Sequence, residues 1–192
     1  MSSVVARLFT GLSLGSQVHG KLETALHLLR PAAELHWSPP ENLHITTKFI
    51  GEWPESRLPE LRTALSGAGP ADEFPVSVAG FGYYPDANHP RVLYAGVGDS
   101  PALTHLARKI DETLAVIGCA REERPYSPHV TVARINRQDI RQLREQIALM
   151  GSMNHLDFGT FIASEFHLYR SAVTPRGSVY TTLATYPLVH AA

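Results

Sequence analysis

Leu43-His44-Ile45-Thr46-Thr47 returns 85 positions later as Pro128-His129-Val130-Thr131-Val132. Each segment places a His and a Thr two residues apart, with an aliphatic residue between them. Side chains two apart on an extended strand share a face. His44 and Thr46 therefore share one face, as do His129 and Thr131, while Ile45, Val130 and Val132 point into a core. Both segments follow proline-marked turns, Pro39-Pro40 before the first and Pro125 with Pro128 before the second. The spacing predicts strands over 43–50 and 129–134.

Elements of both kinds surround these strands. A strand is expected over 4–12 and a helix over 17–30, with Leu22, Ala25, Leu28 and Leu29 on one face and Pro31 after its end. A helix over 56–67 follows, then strands over 74–83 and 91–97 joined through Pro85, Asp86, Asn88 and Pro90. Leu103, Leu106, Ile110, Leu114 and Ile117 recur at helical spacing over 101–117. A third long helix fits 137–149, and closing strands fit 156–170 and 178–188, with a turn at 174–177. Helices and strands alternate irregularly and the connections are tight, which argues for α+β with antiparallel pairing rather than a doubly wound parallel sheet. No glycine-rich phosphate loop or dinucleotide fingerprint is present.

Composition narrows the classes further. The 192 residues are 44% hydrophobic and 18% charged, enough for a buried core in one compact unit. No apolar run approaches the roughly 20 residues of a membrane-spanning helix, and Arg7 interrupts the apolar start, so 1–16 reads as a first strand rather than a signal peptide. A single cysteine, Cys119, excludes an internal disulfide and a cysteine-based zinc site and makes a reducing cytoplasm the default. After a helical stretch it reads as a small buried hydrophobe. The net charge of −1 supplies no global pull toward nucleic acid. Contacts to RNA must be local, and 121–144 holds six arginines, 121, 124, 134, 137, 141 and 144. On charge pattern alone these read as a solvated face.

An imidazole beside a hydroxyl suits phosphate chemistry. Imidazole titrates near pH 6.5 and serves as acid or base at neutrality, and a Thr hydroxyl donates to non-bridging phosphate oxygens. Two such strands facing one another would set a phosphorus centre between two imidazoles without a metal. Residue pattern alone leaves two other readings open. One is a non-catalytic module that binds nucleotides or RNA ends in the same cleft. The other is a His-ligated metal hydrolase, although no His-Glu-x-x-His or comparable ligand spacing occurs.

Residues Glu41–Glu52 and Tyr126–Arg134 resemble the two His-x-Thr-x motifs of the 2H phosphoesterases, nearest to the LigT-like RNA 2',3'-cyclic phosphodiesterases, also called 2'-5' RNA ligases. Pro90–Val97 and Phe166–Ser171, with Gly177 and Tyr180, extend the resemblance over nearly the whole chain. It implies a bilobal α+β fold, with two antiparallel sheets and flanking helices around a central cleft, in which two pseudo-symmetric lobes of one domain each supply a His-x-Thr strand. It implies hydrolysis of a terminal 2',3'-cyclic phosphate on RNA ends or nucleotides to a 2'-phosphate, without cofactor or metal, the reverse reaction joining RNA ends through 2'-5' bonds. By position His44 would protonate the departing 3' oxygen, His129 would activate water, and Thr46 and Thr131 would bind phosphate oxygens. Thr47 departs from the family's usual apolar residue. Lys48, on the His44 face by alternation, is a candidate for the nucleic-acid backbone, and Tyr126 for stacking on a base. Arg134 would reach the phosphate only if the strand ends or bulges near Ala133, because strict alternation puts it opposite His129. A cytoplasmic monomer acting away from membranes is expected.

Overall fold

The computed structural model describes residues 4–32, 34–68, 72–136, 155–175 and 177–189. In chain order these form β1 (Val5–Ser13), α1 (Ser16–Leu29), β2 (His36–Trp37), β3 (His44–Pro54), α2 (Leu58–Ser66), β4 (Phe74–Tyr84), β5 (Val92–Val97), α3 (Pro101–Val116), β6 (His129–Arg134), β7 (Asp157–Ala163), β8 (Glu165–Thr174) and β9 (Gly177–Pro187). The helix expected over 137–149 lies outside the described residues.

The named strands all pair antiparallel, in the order β7-β4-β5-β6-β3-β1-β8-β9, with β2 on β6. Where two sheets were expected, hydrogen bonding traces one nine-stranded sheet, eight strands in a continuous path and β2 beside it, narrowed between β3 and β6 to a single pair, Ile45–Val130. The narrowing has a local cause. β2 and Ser38 occupy the β6 edge beyond Val130: His36 pairs with Arg134, Trp37 with Ala133, and the Ser38 amide donates to the Val132 carbonyl at 2.9 Å. Only Val130 is left for β3.

The span 156–170, expected as one strand, is two. Asp157–Ala163 pairs with β4 and Glu165–Thr174 with β1 and β9, with the change at Ser164, whose carbonyl accepts from the Leu188 amide. The chain thus passes from one margin of the sheet to the strands of the other half.

Helices cover the apolar face. In α1 the buried stripe is Val18, Leu22, Leu26 and Leu29, at the helical repeat. Leu28, expected in that stripe, is exposed, because Leu26 and not Leu28 stands one turn from Leu22. α1 packs on β7 and α3 on β3. α3 opens with Pro101 in its first turn and with the Ser100 hydroxyl accepting from the Leu103 amide at 3.3 Å, which satisfies one of the orphan donors of a helix start. It buries Leu103, Leu106, Ala107, Ile110 and Leu114. Cys119 is buried behind it, and burial pushes its thiol above the ordinary range, as befits a packing residue. No helix among the described residues is long and apolar enough to cross a membrane.

Candidate active site

The pair at the waist of the sheet sets the site. Ile45 and Val130 oppose one another and are fully buried, so both point into the core. Their chain neighbours His44, Thr46, His129 and Thr131, all half-buried, therefore emerge together on the other face. The two imidazoles are near enough for a charge on one to oppose a charge on the other.

Both rings are held in the same manner. His44 Nδ1 donates to the Asn42 carbonyl at 2.7 Å and His129 Nδ1 to the Ser127 carbonyl at 2.9 Å. A carbonyl only accepts, so each Nδ1 carries the hydrogen, and each Nε2 is left for chemistry. His44 Nε2 meets the Thr46 hydroxyl at 3.0 Å. Asn42 is itself buried and anchored, its side-chain amide donating to the Ser178 carbonyl at 2.6 Å. The Ser38 hydroxyl donates to the Thr131 carbonyl at 3.0 Å.

The surroundings of the two histidines differ. His44 sits among Phe9, Tyr180 and Tyr169, with ring centroids at 4.8, 5.3 and 5.9 Å. Burial pushes its pKa below the ordinary value, against the opposing pull of the Asn42 carbonyl, and the neighbouring His129 lowers it further. Among the described residues His129 has one ring neighbour, Tyr94 at 5.4 Å. Tyr94 lies over Gly82, where a Cβ would stand 2.5 Å from its ring and hydroxyl. A cavity of about 700 Å³ opens beside His129 and Thr46, bounded by Tyr126, Phe49, Tyr84, Arg108 and Arg124.

Gly11 supports the other flank. It pairs with Thr46, and a Cβ there would stand 2.7 Å from the Ile45 carbonyl oxygen and 3.2 Å from His44 Cδ2. The first contact is with backbone at the waist and has no easy relief. Gly11→Ala is expected to displace β3 and lower kcat/KM by about tenfold, since sub-ångström misplacement of catalytic groups is costly. Steady-state kinetics beside a thermal melt check this; unchanged kinetics in a folded variant would remove the role given to Gly11.

The remaining candidates take other places. Lys48 lines the cavity beside His129 and Thr46, but its charge is already paired. The β1–β3 register skips at Thr47, which leaves Thr47 and Lys48 both buried. Thr47 shares a 2.7 Å hydroxyl contact with Thr10, and the Lys48 ammonium donates to Asp111 Oδ1 at 2.5 Å and to the Ala120 carbonyl at 2.6 Å. Its charge is thus engaged by α3 rather than presented to a nucleic-acid backbone. The Tyr126 hydroxyl donates to the Thr46 carbonyl at 2.8 Å, and burial drives its pKa far up. The β5–β6 register skips between Tyr94–Thr131 and Leu93–Ala133, with Val132 and Ala133 both buried. Arg134 is exposed beyond this irregularity and makes no ion pair or side-chain hydrogen bond with a described residue. Sequence reasoning missed Phe9, Asn42, Gly11 and Gly82; none carries reactive chemistry, and each acts by where pairing puts it. Among the described residues no group of three or more His, Cys, Asp or Glu stands at metal-binding spacing.

Known proteins resemble this chain over most of its length. The pattern of the 2'-5' RNA ligase superfamily matches residues 19–175. An RNA 2',3'-cyclic phosphodiesterase of Methanothermobacter thermautotrophicus is 31% identical over 188 residues, 95% of this chain and 98% of the relative. One from Archaeoglobus fulgidus is 30% identical over 94% and 99%. A solved structure from Thermus thermophilus superposes with a TM-score of 0.77 at 29% identity, covering 95% of this chain and 97% of that one. E. coli LigT complexed with 3'-AMP shares the fold, with a TM-score of 0.77 at 22% identity over 97% and 100%. The chain belongs to the 2'-5' RNA ligase superfamily.

Proposed function

We propose that this protein is an RNA 2',3'-cyclic phosphodiesterase that works by two-histidine acid–base catalysis without a metal. The observation that carries the reading is the waist of the sheet, where one buried pair turns two His-x-Thr strands onto a common face. The names of the relatives support it. Each half of the sheet contributes one strand to the site, which supports reading the domain as two half-lobes.

The chemistry follows from the two Nε2 atoms. His129, beside the open cavity, takes a proton from water as its oxygen attacks phosphorus. The bond from phosphorus to the 3' oxygen breaks, and the proton on His44 Nε2 passes to that oxygen, leaving a 2'-phosphate. Thr46 and Thr131 donate to the non-bridging oxygens, where negative charge grows. With a 5'-hydroxyl in the place of water, the same steps form a 2'-5' bond. Arg134, exposed beyond the irregularity, is assigned to substrate binding. Tyr126 holds the Thr46 backbone, and Lys48 ties β3 to α3. The single buried cysteine supports a cytoplasmic setting.

The depressed pKa of His44 is a handicap for a proton donor in the empty protein. An anionic cyclic phosphate beside it restores the imidazolium, because an opposite charge favours the charged form. The basic limb of kcat, which reports the complex, is therefore expected at higher pH than the basic limb of kcat/KM, which reports the free enzyme. Profiles of both over pH 4–9 check the sign, and coincident limbs would count against His44 as the acid. The deciding assay offers cyclic nucleotides and oligonucleotides ending in 2',3'-cyclic phosphate, in chelator, with products identified by phosphorus NMR. A 2'-phosphate product is expected. Tight binding of 2'-phosphates with no turnover would make the protein a binding module instead.

A further inference from the structure

His44 and His129 depend on the same kind of support, a carbonyl that holds the hydrogen on Nδ1, but the two carbonyls are not equally fixed. Asn42 closes a short helical turn, Pro40–Asn42, is buried, and is locked by its side-chain amide on the Ser178 carbonyl. Ser127 is exposed and lies on an irregular arm between α3 and β6. Among the described residues, none of 121–127 enters a backbone-to-backbone hydrogen bond. The arm is therefore held through side chains. Its far end is tied where the Asp111 carboxylate accepts from the Glu122 amide at 3.0 Å. Its near end is tied by Tyr126, whose hydroxyl crosses to the Thr46 carbonyl at 2.8 Å, 80 positions back in the chain.

The span from that tether to the imidazole is short and stiff. Pro125 and Pro128 fix their own φ angles and bias Arg124 and Ser127 toward extended backbone. Tyr126 and Ser127 lie between the two prolines. An anchor on the Tyr126 hydroxyl is thus carried over to the Ser127 carbonyl, one residue on. Burial pushes the Tyr126 phenol well above its ordinary value, so it stays a donor across the range in which imidazoles titrate. The Tyr126 ring is also a wall of the cavity beside His129. Tether and wall can be told apart, because the first needs the hydroxyl and the second only the ring.

We propose that the Tyr126 hydroxyl is the positioning group for His129: it pins the arm to Thr46, and the pinned Ser127 carbonyl keeps the hydrogen on Nδ1 and leaves Nε2 free to take a proton from water. Tyr126 thus acts through Ser127 and His129, a role distinct from the base stacking that its place in the sequence suggests. It also ties the base to the strand that carries the other histidine, so the two imidazoles keep one spacing across the waist. Its effect on rate rests on the catalytic reading above; its effect on the ring does not.

The test compares Tyr126→Phe, which removes the hydroxyl and keeps the ring, with Tyr126→Ala, on cytidine 2',3'-cyclic phosphate. Proton–nitrogen correlation spectra of the imidazoles at about pH 8.5, where both are neutral, read which ring nitrogen carries the hydrogen. In the wild type both histidines should carry it on Nδ1. In Tyr126→Phe, His129 should become a mixture of the two tautomers, while His44, held by Asn42, stays as it was. kcat should fall by about tenfold, the scale of a misplaced catalytic group, with KM kept within about threefold. Tyr126→Phe should cost nothing further in a His129→Ala background, because the two act as one unit. A His129 tautomer unchanged in Tyr126→Phe overturns the tether, whatever the rate. So does a wild-type kcat in Tyr126→Phe with a raised KM in Tyr126→Ala, which would make the ring a substrate contact. An equal further loss in the His129→Ala background also overturns it and gives the hydroxyl to Thr46 instead. Should the wild type hydrolyse no cyclic phosphate, the catalytic reading falls, and the spectra still decide whether Tyr126 orders the ring.

Discussion

His44→Ala and His129→Ala should each lower turnover of a 2',3'-cyclic phosphate by at least about 10²-fold, the usual contribution of a positioned acid or base. The two losses should not add, because once one proton transfer is missing the other has little left to assist. The variants differ in what else they remove. His44 fills a space between Phe9, Tyr169 and Tyr180, so its truncation also leaves a void among aromatic rings. Among the described residues His129 touches one ring, and it opens to the cavity, so its truncation should leave stability nearly unchanged. A thermal melt beside the kinetics separates these effects, and His44→Gln, which keeps more of the volume, should show the same chemical defect with a smaller stability loss. Full activity in either folded alanine variant would end the two-histidine mechanism.

The parts of this site that lie along one strand were legible in the sequence, and the parts made by pairing were not. His44 with Thr46 and His129 with Thr131 follow from the two-residue period, which needs no knowledge of neighbours. That the two pairs meet follows only from the Ile45–Val130 register. Phe9, Tyr169 and Tyr180 come from β1, β8 and β9, and no local pattern marks them as neighbours of His44. The pairing of Lys48 was not legible, because its partner Asp111 lies 63 positions away on α3. The break at Ser164 was missed because no Gly or Pro marks it. Leu28 was misjudged because α1 carries Leu or Ala at 22, 25, 26, 28 and 29, which leaves the phase of the buried stripe poorly determined.

Asp111→Ala should cost about 3–5 kcal/mol of stability, the range for stranding one member of a buried ion pair. The Lys48 side chain is 5% exposed and that of Asp111 16%, with nitrogen and oxygen at 2.5 Å. Without the carboxylate the ammonium keeps, among the described residues, the Ala120 carbonyl alone. The same carboxylate accepts from the Glu122 amide at 3.0 Å and lies 3.4 Å from Arg121 Nε, so it also fastens the segment that leads through Tyr126 and Ser127 to His129. Burial alone would raise the Asp111 pKa, but the Lys48 hydrogen bond, the Glu122 amide and the adjoining positive charges outweigh it and hold the carboxyl below its usual value. A carboxyl depressed in the folded state contributes stability above its unfolded pKa of about 4 and loses it as pH falls further. The wild type should therefore lose stability below about pH 4 more steeply than the Asp111→Ala variant, as chemical denaturation at a series of pH values would show. Replacing both partners, Lys48→Met with Asp111→Leu, should recover most of the loss, because no charge is then left buried alone. Should the double variant be as unstable as the single one, the ion pair would not be what joins β3 to α3. If Asp111→Ala folds, kcat should also fall, because Ser127 no longer holds the His129 ring from a fixed segment. An intact kcat would show that β6 alone positions that imidazole.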